Sequence, residues 1–170
     1  MPRQNTEGES KVCKIIERVL VKEIATKPEI KDLCVNVKLT PFEAGDKMPK
    51  ILIVTVDKEI IRFVKANYQS YLNMMKKEFP GNIILTVRDV RIPQKKGLTL
   101  NRLREVVLQD LCFPAVIKGR VQEVEDRENV IEIVYLDAKQ SYWNETAMKS
   151  LEKLACEMLK DKYSFALFAN

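Results

Sequence analysis

The sequence predicts a mixed α/β fold, in which helices cover a mixed sheet. Apolar, β-branched runs such as Ile51–Val56 alternate along the chain with segments whose apolar residues recur at helical spacing. The composition, with 46% apolar and 31% charged residues, suits a globular protein with a charged surface. A chain of 170 residues can bury a stable core without disulfide bonds or structural metals. We therefore expect a single domain over residues 9–170, preceded by a disordered tail at residues 1–8.

The first half of the chain is predicted to contain both helices and strands. Hydrophobic periodicity, caps and turn residues predict its elements in chain order. They are a helix over Glu9–Thr26, a strand over Leu33–Leu39, a turn-rich link over 41–49, a buried central strand over Ile51–Val56, a long helix capped by Asp57, and a strand over Asn82–Val90.

The second half repeats the order of the first. Its predicted elements are a helix capped by Thr99, a hairpin with strands Lys118–Glu125 and Asn129–Leu136, a helix over Ser141–Lys160, and a strand over Tyr163–Phe168. Each half thus follows the order helix, strand, strand, helix, strand. This order predicts two topologically similar halves, 9–90 and 99–170, joined by a basic loop at 91–98.

Several residue types that enzymes need are missing or scattered. The sequence contains no histidine, which removes the commonest general base and metal ligand. Its five glycines are isolated, so no phosphate-binding glycine loop can be drawn. The four cysteines are far apart and each lies within an apolar periodicity, which favours small buried side chains. We expect no enzymatic activity, no cofactor and no small-molecule substrate.

The sequence also bears on the compartment. The polar N-terminus lacks the apolar core of a signal peptide, and no apolar run approaches eighteen residues. We therefore expect a cytoplasmic protein without membrane contact.

The most informative stretch is the basic segment from Arg88 to Pro114. Residues 51–104 carry 11 basic and 4 acidic side chains, whereas residues 105–170 carry 8 basic and 12 acidic ones. Lys and Arg in a flexible loop suit contact with phosphates, and the N-terminus of the following helix also favours anions. Composition alone leaves an ordinary cationic surface loop equally open. The loop has no aromatic residues for stacking on bases, so contacts to the backbone of folded RNA are favoured over sequence readout.

Particular motifs then favour RNA. From Ile51 onward the chain resembles the eukaryote-specific small-subunit ribosomal protein seven, which is distinct from the universal ribosomal protein of the same number. The resemblance is carried by ILIVTV, by KKEFPGNIILTV, by Leu108–Pro114 (similar to the family's L-E-D-L-V-F-P), by the Leu136-Asp137 pair and by the final aromatic strand.

The resemblance implies a structural ribosomal protein that binds small-subunit rRNA and supports subunit assembly and rRNA maturation. Neighbouring ribosomal proteins would be further partners, and assembly would take place in the nucleolus. The candidate rRNA-binding residues are Arg88, Arg91, Lys95, Lys96, Arg102, Arg104, Lys118 and Arg120. The alternative is a free-standing adaptor whose basic face binds an acidic protein.

Two features depart from the family pattern. The basic loop is cut to a few residues, which suggests a shortened form from a lineage with compacted ribosomes. The hairpin, normally basic, is acidic through Glu123, Glu125, Asp126, Glu128 and Glu132. This acidity favours solvent or a basic protein neighbour over rRNA at the hairpin.

Overall fold

A computed structural model describes residues 4–90, 98–137 and 143–168. Over these residues it contains seven helices and six strands, and the strands form two three-stranded sheets. The chain divides into two compact units, the first formed by Met1–Pro41 with Ile51–Val90 and the second by Phe42–Lys50 with Arg91–Asn170. The predicted mixed α and β fold is confirmed.

The first unit contains a sheet in the order β1-β2-β3. Its elements are α1 Glu7–Val19, α2 Val21–Thr26, α3 Glu29–Leu33, β1 Lys38–Phe42, β2 Lys50–Val56, α4 Ile61–Ala66, α5 Tyr68–Glu78 and β3 Asn82–Arg88.

Helices α1 and α5 pack against each other in this unit. The apolar stripe of α1 is buried, and Tyr71, Leu72 and Met75 of α5 are buried with it. Strand β2 lies between β1 and β3 and is buried on both faces, as its run of β-branched residues predicts. The core of the unit therefore consists of a central strand and the helical stripes over it.

The second unit contains a sheet in the order β4-β5-β6. Its elements are α6 Leu98–Cys112, β4 Ile117–Val124, β5 Val130–Asp137, α7 Glu145–Leu159 and β6 Tyr163–Phe168. Strands β4 and β5 pair antiparallel as the predicted hairpin, and β6 adds parallel to β5. Both halves follow the same order of elements and the same strand order, so their predicted similarity is confirmed.

Helix α7 covers one face of the second sheet and also contacts α6. Val134 and Leu136 of β5 are buried, and so are Tyr163 and Phe165 of β6. Because side chains alternate along a strand, these four residues mark the face that the helices cover. Trp143, which precedes α7, is 1% exposed and donates from Nε1 to the carbonyl of Cys112 at 3.1 Å.

The strand predicted at Leu33–Leu39 is wrong. Residues 29–33 form helix α3, and the strand runs instead over Lys38–Phe42, including Pro41 from the predicted link. The alternating pattern misled because Val35 is 51% exposed and does not belong to a buried strand face. Pro41 is tolerated because β1 is an edge strand, where a missing N–H need not break the ladder.

Helix boundaries also differ from those predicted. Residues 6–8, expected in the tail, contribute to α1, because Thr6 and Glu9 form a capping box at its start. The first predicted helix is divided at Leu20, and the long helix after Asp57 is divided at Asn67, whose Nδ2 donates to the carbonyl of Phe63 at 2.9 Å.

Two helix starts in the second unit differ as well. Helix α6 begins at Leu98, so Thr99 is inside it rather than at its cap. Helix α7 begins at Glu145 because the side chain of Asn144 accepts a hydrogen bond from the N–H of Ala147 at 2.7 Å. Gly81 adopts a φ of 80°, as expected of a glycine that ends a helix.

The cysteines agree for the most part with their interpretation as buried side chains. Cys13, Cys34 and Cys112 are buried, whereas Cys156 is half-buried. Burial raises the pKa of Cys34 to about 11 and that of Cys112 to about 12. These two thiols therefore stay protonated and unreactive at neutral pH.

Replacing Tyr71 by Phe tests the core of the first unit. Its hydroxyl and that of Thr86 share a buried hydrogen bond of 2.8 Å. Because Tyr71→Phe leaves the Thr86 hydroxyl without this partner, we expect a loss of about 1–3 kcal/mol in the free energy of unfolding, measured with urea. Adding Thr86→Val removes the second polar group and should recover part of the loss. Purely additive effects of the two substitutions would contradict this account.

Candidate nucleic-acid interface

The sequence-predicted binding residues fall into groups with different surroundings. Arg91, Lys95 and Lys96 lie outside the residues that the structure describes. Arg88 is the last residue of β3 and is half-buried. The remaining four, Arg102, Arg104, Lys118 and Arg120, all belong to the second unit.

Arg104 has a structural role in α6. Its Nε donates to the carbonyl of Leu159, the last residue of α7, at 3.0 Å. One terminal nitrogen also lies 3.7 Å from the carboxylate of Asp161. The last carbonyls of a helix lack partners within the helix, so this guanidinium satisfies one of them and complements the negative end of the helix dipole. Arg104 therefore stabilises the packing of α6 on α7.

Lys118 and Arg120 on β4 are paired with acidic side chains. Arg120 Nε bonds the carboxylate of Glu132 on the neighbouring strand, and its NH1 is 3.8 Å from Glu105. These carboxylates oppose the effect of burial and raise the pKa of Arg120. Lys118 Nζ is 3.7 Å from a carboxylate oxygen of Asp137. The positive charge of this strand is thus largely neutralised within the unit.

Arg102 differs from its neighbour Arg104. It is exposed in the first turns of α6, and in the described part of the chain no carboxylate lies within ion-pair distance of it. It lies four residues after the end of the basic loop. Arg102 is therefore the described residue of the predicted set that is best suited to an external phosphate.

The tip of the β4–β5 hairpin is acidic and locally ordered. The carboxylate of Asp126 accepts hydrogen bonds from the backbone N–H groups of Glu128 and Asn129, both at 2.9 Å, and from the Asn129 side chain at 2.7 Å. These bonds favour the ionised form and lower the pKa of Asp126. The tip therefore keeps its negative charge, which repels phosphate.

The first unit contains a basic groove that the sequence analysis missed. It is lined by Lys22, Glu23, Thr26, Lys27, Ile30, Arg62 and Phe63. The guanidinium carbon of Arg62 lies 4.6 Å from the centre of the Phe63 ring, in a cation–π contact. Glu23, the one acid among these residues, accepts a hydrogen bond from Asn67 Nδ2 at 3.2 Å. Three cations and a half-buried aromatic ring thus meet in one concave surface.

The sequence held a partial signal for this groove. Cations recur along the helices on both sides of it, and Lys58, Arg62 and Lys65 share the outer face of the predicted helix after Asp57. Read one helix at a time, each row of charges resembles an ordinary solvated face. Only the folded chain brings Lys22 and Lys27 to the same groove as Arg62.

The described residues contain neither a metal-binding cluster nor a membrane-spanning helix. Within the described ranges, no group of three or more Cys, Asp or Glu side chains could hold a metal ion. No helix there is both long and apolar enough to cross a membrane.

The segment with the most specific family resemblance, Leu108–Pro114, is part of the core. Leu108, Leu111 and Cys112 are fully buried, and Asp110 is 1% exposed. The segment ends α6, and the carbonyl of Cys112 accepts from both Trp143 and the N–H of Ala115. The residues of this motif therefore contribute to packing of the core rather than to a contact with a ligand.

Comparison with known proteins identifies a relative. No protein-family model matches the chain. The chain is 27% identical over 141 residues to small ribosomal subunit protein eS7 of Encephalitozoon cuniculi (strain GB-M1), and the match covers 80% of this chain and 79% of that protein. The chain is similar to eS7 over four fifths of its length. The resemblance found in the sequence is thereby confirmed.

The similarity to eS7 extends beyond the motifs that first indicated it. A match over 141 residues is longer than the stretch from Ile51 to the C-terminus, so it includes part of the chain before Ile51. The basic groove is formed partly by residues that precede Ile51, namely Lys22 and Lys27.

Substituting Arg102 and Arg104 separately distinguishes an exposed cation from a structural one. We expect Arg104→Gln to lower the free energy of unfolding by about 1–3 kcal/mol, because it removes a charged hydrogen bond to a helix end. Arg102→Gln should change it by less than about 0.5 kcal/mol. Chemical denaturation of the two variants measures both values, and equal losses would refute the distinction.

Proposed function

We propose that this protein is a non-catalytic structural constituent of the small ribosomal subunit. The similarity to small ribosomal subunit protein eS7 over four fifths of the chain carries this proposal. The protein binds small-subunit rRNA and neighbouring ribosomal proteins, and it supports assembly of the subunit and maturation of its rRNA. It acts in cytoplasmic ribosomes after assembly in the nucleolus.

The first rRNA contact is the basic segment from Arg88 to Arg102. It contains Arg91, Lys95 and Lys96 in addition to its two end residues. Phosphates are bound by charge without a rigid pocket, and Arg102 extends this charge onto α6. Arg104 is adjacent but supports α6 from within, so its effect on RNA is indirect.

The second rRNA contact is the groove of the first unit. Lys22 and Lys27 supply charge for phosphates, whereas Arg62 stacked on Phe63 presents a flat cationic surface. Unpaired bases in RNA loops stack on guanidinium planes as well as on aromatic rings. The groove therefore suits a bulged or looped nucleotide, a contact that the short basic loop cannot make alone.

The hairpin contributes little to rRNA binding. Lys118 and Arg120 are engaged with carboxylates, and four acids lie at the tip, Glu123, Glu125, Asp126 and Glu128. Releasing Arg120 to a phosphate would remove the cation that compensates the carboxylate of Glu132. This agrees with the sequence of the hairpin, which is acidic where the family pattern is basic.

The rival function is a free-standing adaptor that binds an acidic protein through the same basic surfaces. Sedimentation of the native protein with ribosomal subunits separates the two functions. We expect the protein in the small-subunit fraction. A protein that stays at the top of the gradient at low salt would favour the adaptor.

The salt dependence of rRNA binding tests the basic loop. If about six phosphates are neutralised, log affinity should fall against log salt with a slope of roughly −4 to −5. Replacing Lys95 and Lys96 by Glu should make this slope shallower by about 1.5, because two phosphate contacts are lost. The matched control Lys47→Glu with Lys149→Glu makes the same change in net charge at exposed positions elsewhere. Equal changes in slope for both pairs would rule out a specific role for the loop.

Arg62→Lys tests stacking in the groove separately from charge. Lysine keeps the charge but loses the planar guanidinium, so we expect an unchanged salt slope and an affinity about five- to tenfold lower, near the lower end of base-stacking energies. Arg62→Gln should make the salt slope shallower and should also lower the affinity. Binding titrations at several salt concentrations measure these values. An unchanged affinity in Arg62→Lys would show that the groove contributes charge alone.

A further inference from the structure

The two edges of the second sheet differ in what covers them. At β6, the N–H of Phe165 donates to the carboxylate of Glu152 on α7 at 2.9 Å, and the N–H of Tyr163 donates to Cys156 Sγ at 3.3 Å. Helix α7 therefore occupies the outer side of β6. At β4, in the described ranges, no backbone hydrogen bond reaches the outer side of the strand. Among the described residues, β4 is therefore the edge that no helix or strand covers through backbone hydrogen bonds.

The open edge adjoins an apolar sheet face. The register of the sheet puts one set of side chains on the face opposite to Val134 and Phe165. On β5 and β6 it includes Tyr135 and Phe168, whose rings meet edge to face at 6.3 Å. The apolar members of this outer face are Val121, Ile131, Ile133, Tyr135, Ala166 and Phe168.

Exposure of this surface is higher than its composition would favour in a free protein. Val121 is 52% exposed and Phe168 is 45% exposed. Edge strands are usually shortened, bulged, charged or covered, because they pair readily with another chain. Strand β4 has a bulge near Gly119 and charges at Lys118, Arg120 and Glu123, but its outer face is apolar and exposed at Val121. Strand β4 has eight residues and so offers a template of about 26 Å.

The charge around this surface indicates the occupant. Four acids and one base lie between Glu123 and Glu128. The two cations of β4, Lys118 and Arg120, are already paired with carboxylates. A polyanion would be repelled by the tip and would meet apolar side chains on the sheet, whereas a basic peptide would find opposite charge and an apolar surface together.

We propose that β4 and the adjoining outer face dock a lysine- and arginine-rich extended segment of a neighbouring protein by strand addition. The inference deepens the proposed function, on which it rests, by naming the chemistry of one protein partner. Backbone hydrogen bonds to β4 supply affinity, and the acidic tip selects basic side chains.

A photo-crosslinking residue in place of Val121 tests the occupant within small subunits that contain the full chain. The same residue in place of the exposed Lys149 on α7 is the control. We expect the Val121 position to form an adduct with a basic protein segment. An adduct with rRNA, an adduct with a second copy of this chain, or no adduct in sedimenting subunits would each overturn the proposal. Sedimentation of the chain that carries the crosslinking residue is measured separately, and it reports on the proposed ribosomal function.

A peptide titration of the isolated full chain tests the same surface without the ribosome. The probes are an alternating Lys-Val octapeptide and a matched Glu-Val octapeptide, followed by amide shifts in NMR spectra. We expect shifts confined to β4 and its outer face, and at least tenfold tighter binding of the basic peptide. Shifts elsewhere, no shifts, or equal affinities would overturn the proposal even if the protein sediments with ribosomal subunits.

Two variants sharpen this titration. The bond from the N–H of Glu125 to the carbonyl of Asn129 fixes the alternation of the ladder, which turns the N–H of Gln122 away from β5. Gln122→Pro should therefore keep the hairpin and abolish peptide shifts. Glu125→Lys with Glu128→Lys should weaken the basic peptide about tenfold, whereas the control Glu59→Lys with Glu157→Lys should not. Unaltered binding in both test variants would refute strand addition at β4.

Discussion

The second unit depends on the hydrogen bond from the Trp143 indole to the carbonyl of Cys112. This bond joins the end of α6 to the start of α7 in a region where Leu108, Leu111 and Cys112 are fully buried. A buried indole N–H without a partner would cost about 1–3 kcal/mol, so the indole and the end of α6 constrain each other. The family-like segment Leu108–Pro114 is thus a packing requirement. Its indirect value for function is that it fixes the helix that begins next to the basic loop.

Cations that are adjacent in sequence have unequal roles once the chain folds. Arg102 and Arg104 are two residues apart, yet one is exposed and the other bonds the carbonyl of Leu159. Lys118 and Arg120 are likewise occupied by carboxylates. Counting basic residues therefore overestimates the charge available to a polyanion. The available charge is the part left after internal pairing, which favours Arg102 and the groove around Arg62 over β4.

Much of the fold followed from periodicity, because its strongest signals are long and locally consistent. The β2 strand, the β4–β5 hairpin and β6 lie where the pattern predicts them. The errors occurred where tertiary contacts overrule local pattern. Asn67 interrupts a helix by bonding Phe63 and Glu23, a residue more than forty positions away. The groove could not be predicted for the same reason: its cations come from separate helices, and only folding brings them together.

The two edges of the second sheet differ in how they can take part in assembly, because α7 covers the edge at β6. Glu152 and Cys156 on α7 accept hydrogen bonds from two outward N–H groups of β6, so α7 covers this edge, whereas β4 is uncovered in the described part of the unit. Since strand addition supplies backbone hydrogen bonds whatever the sequence of the partner, selectivity must come from side chains. On β4 these are an apolar face and an acidic tip, where a ribosomal relative would be expected to be basic. In the proposed function, the acidic hairpin is therefore assigned to basic protein segments, and the phosphate contacts are assigned to the basic loop and the groove.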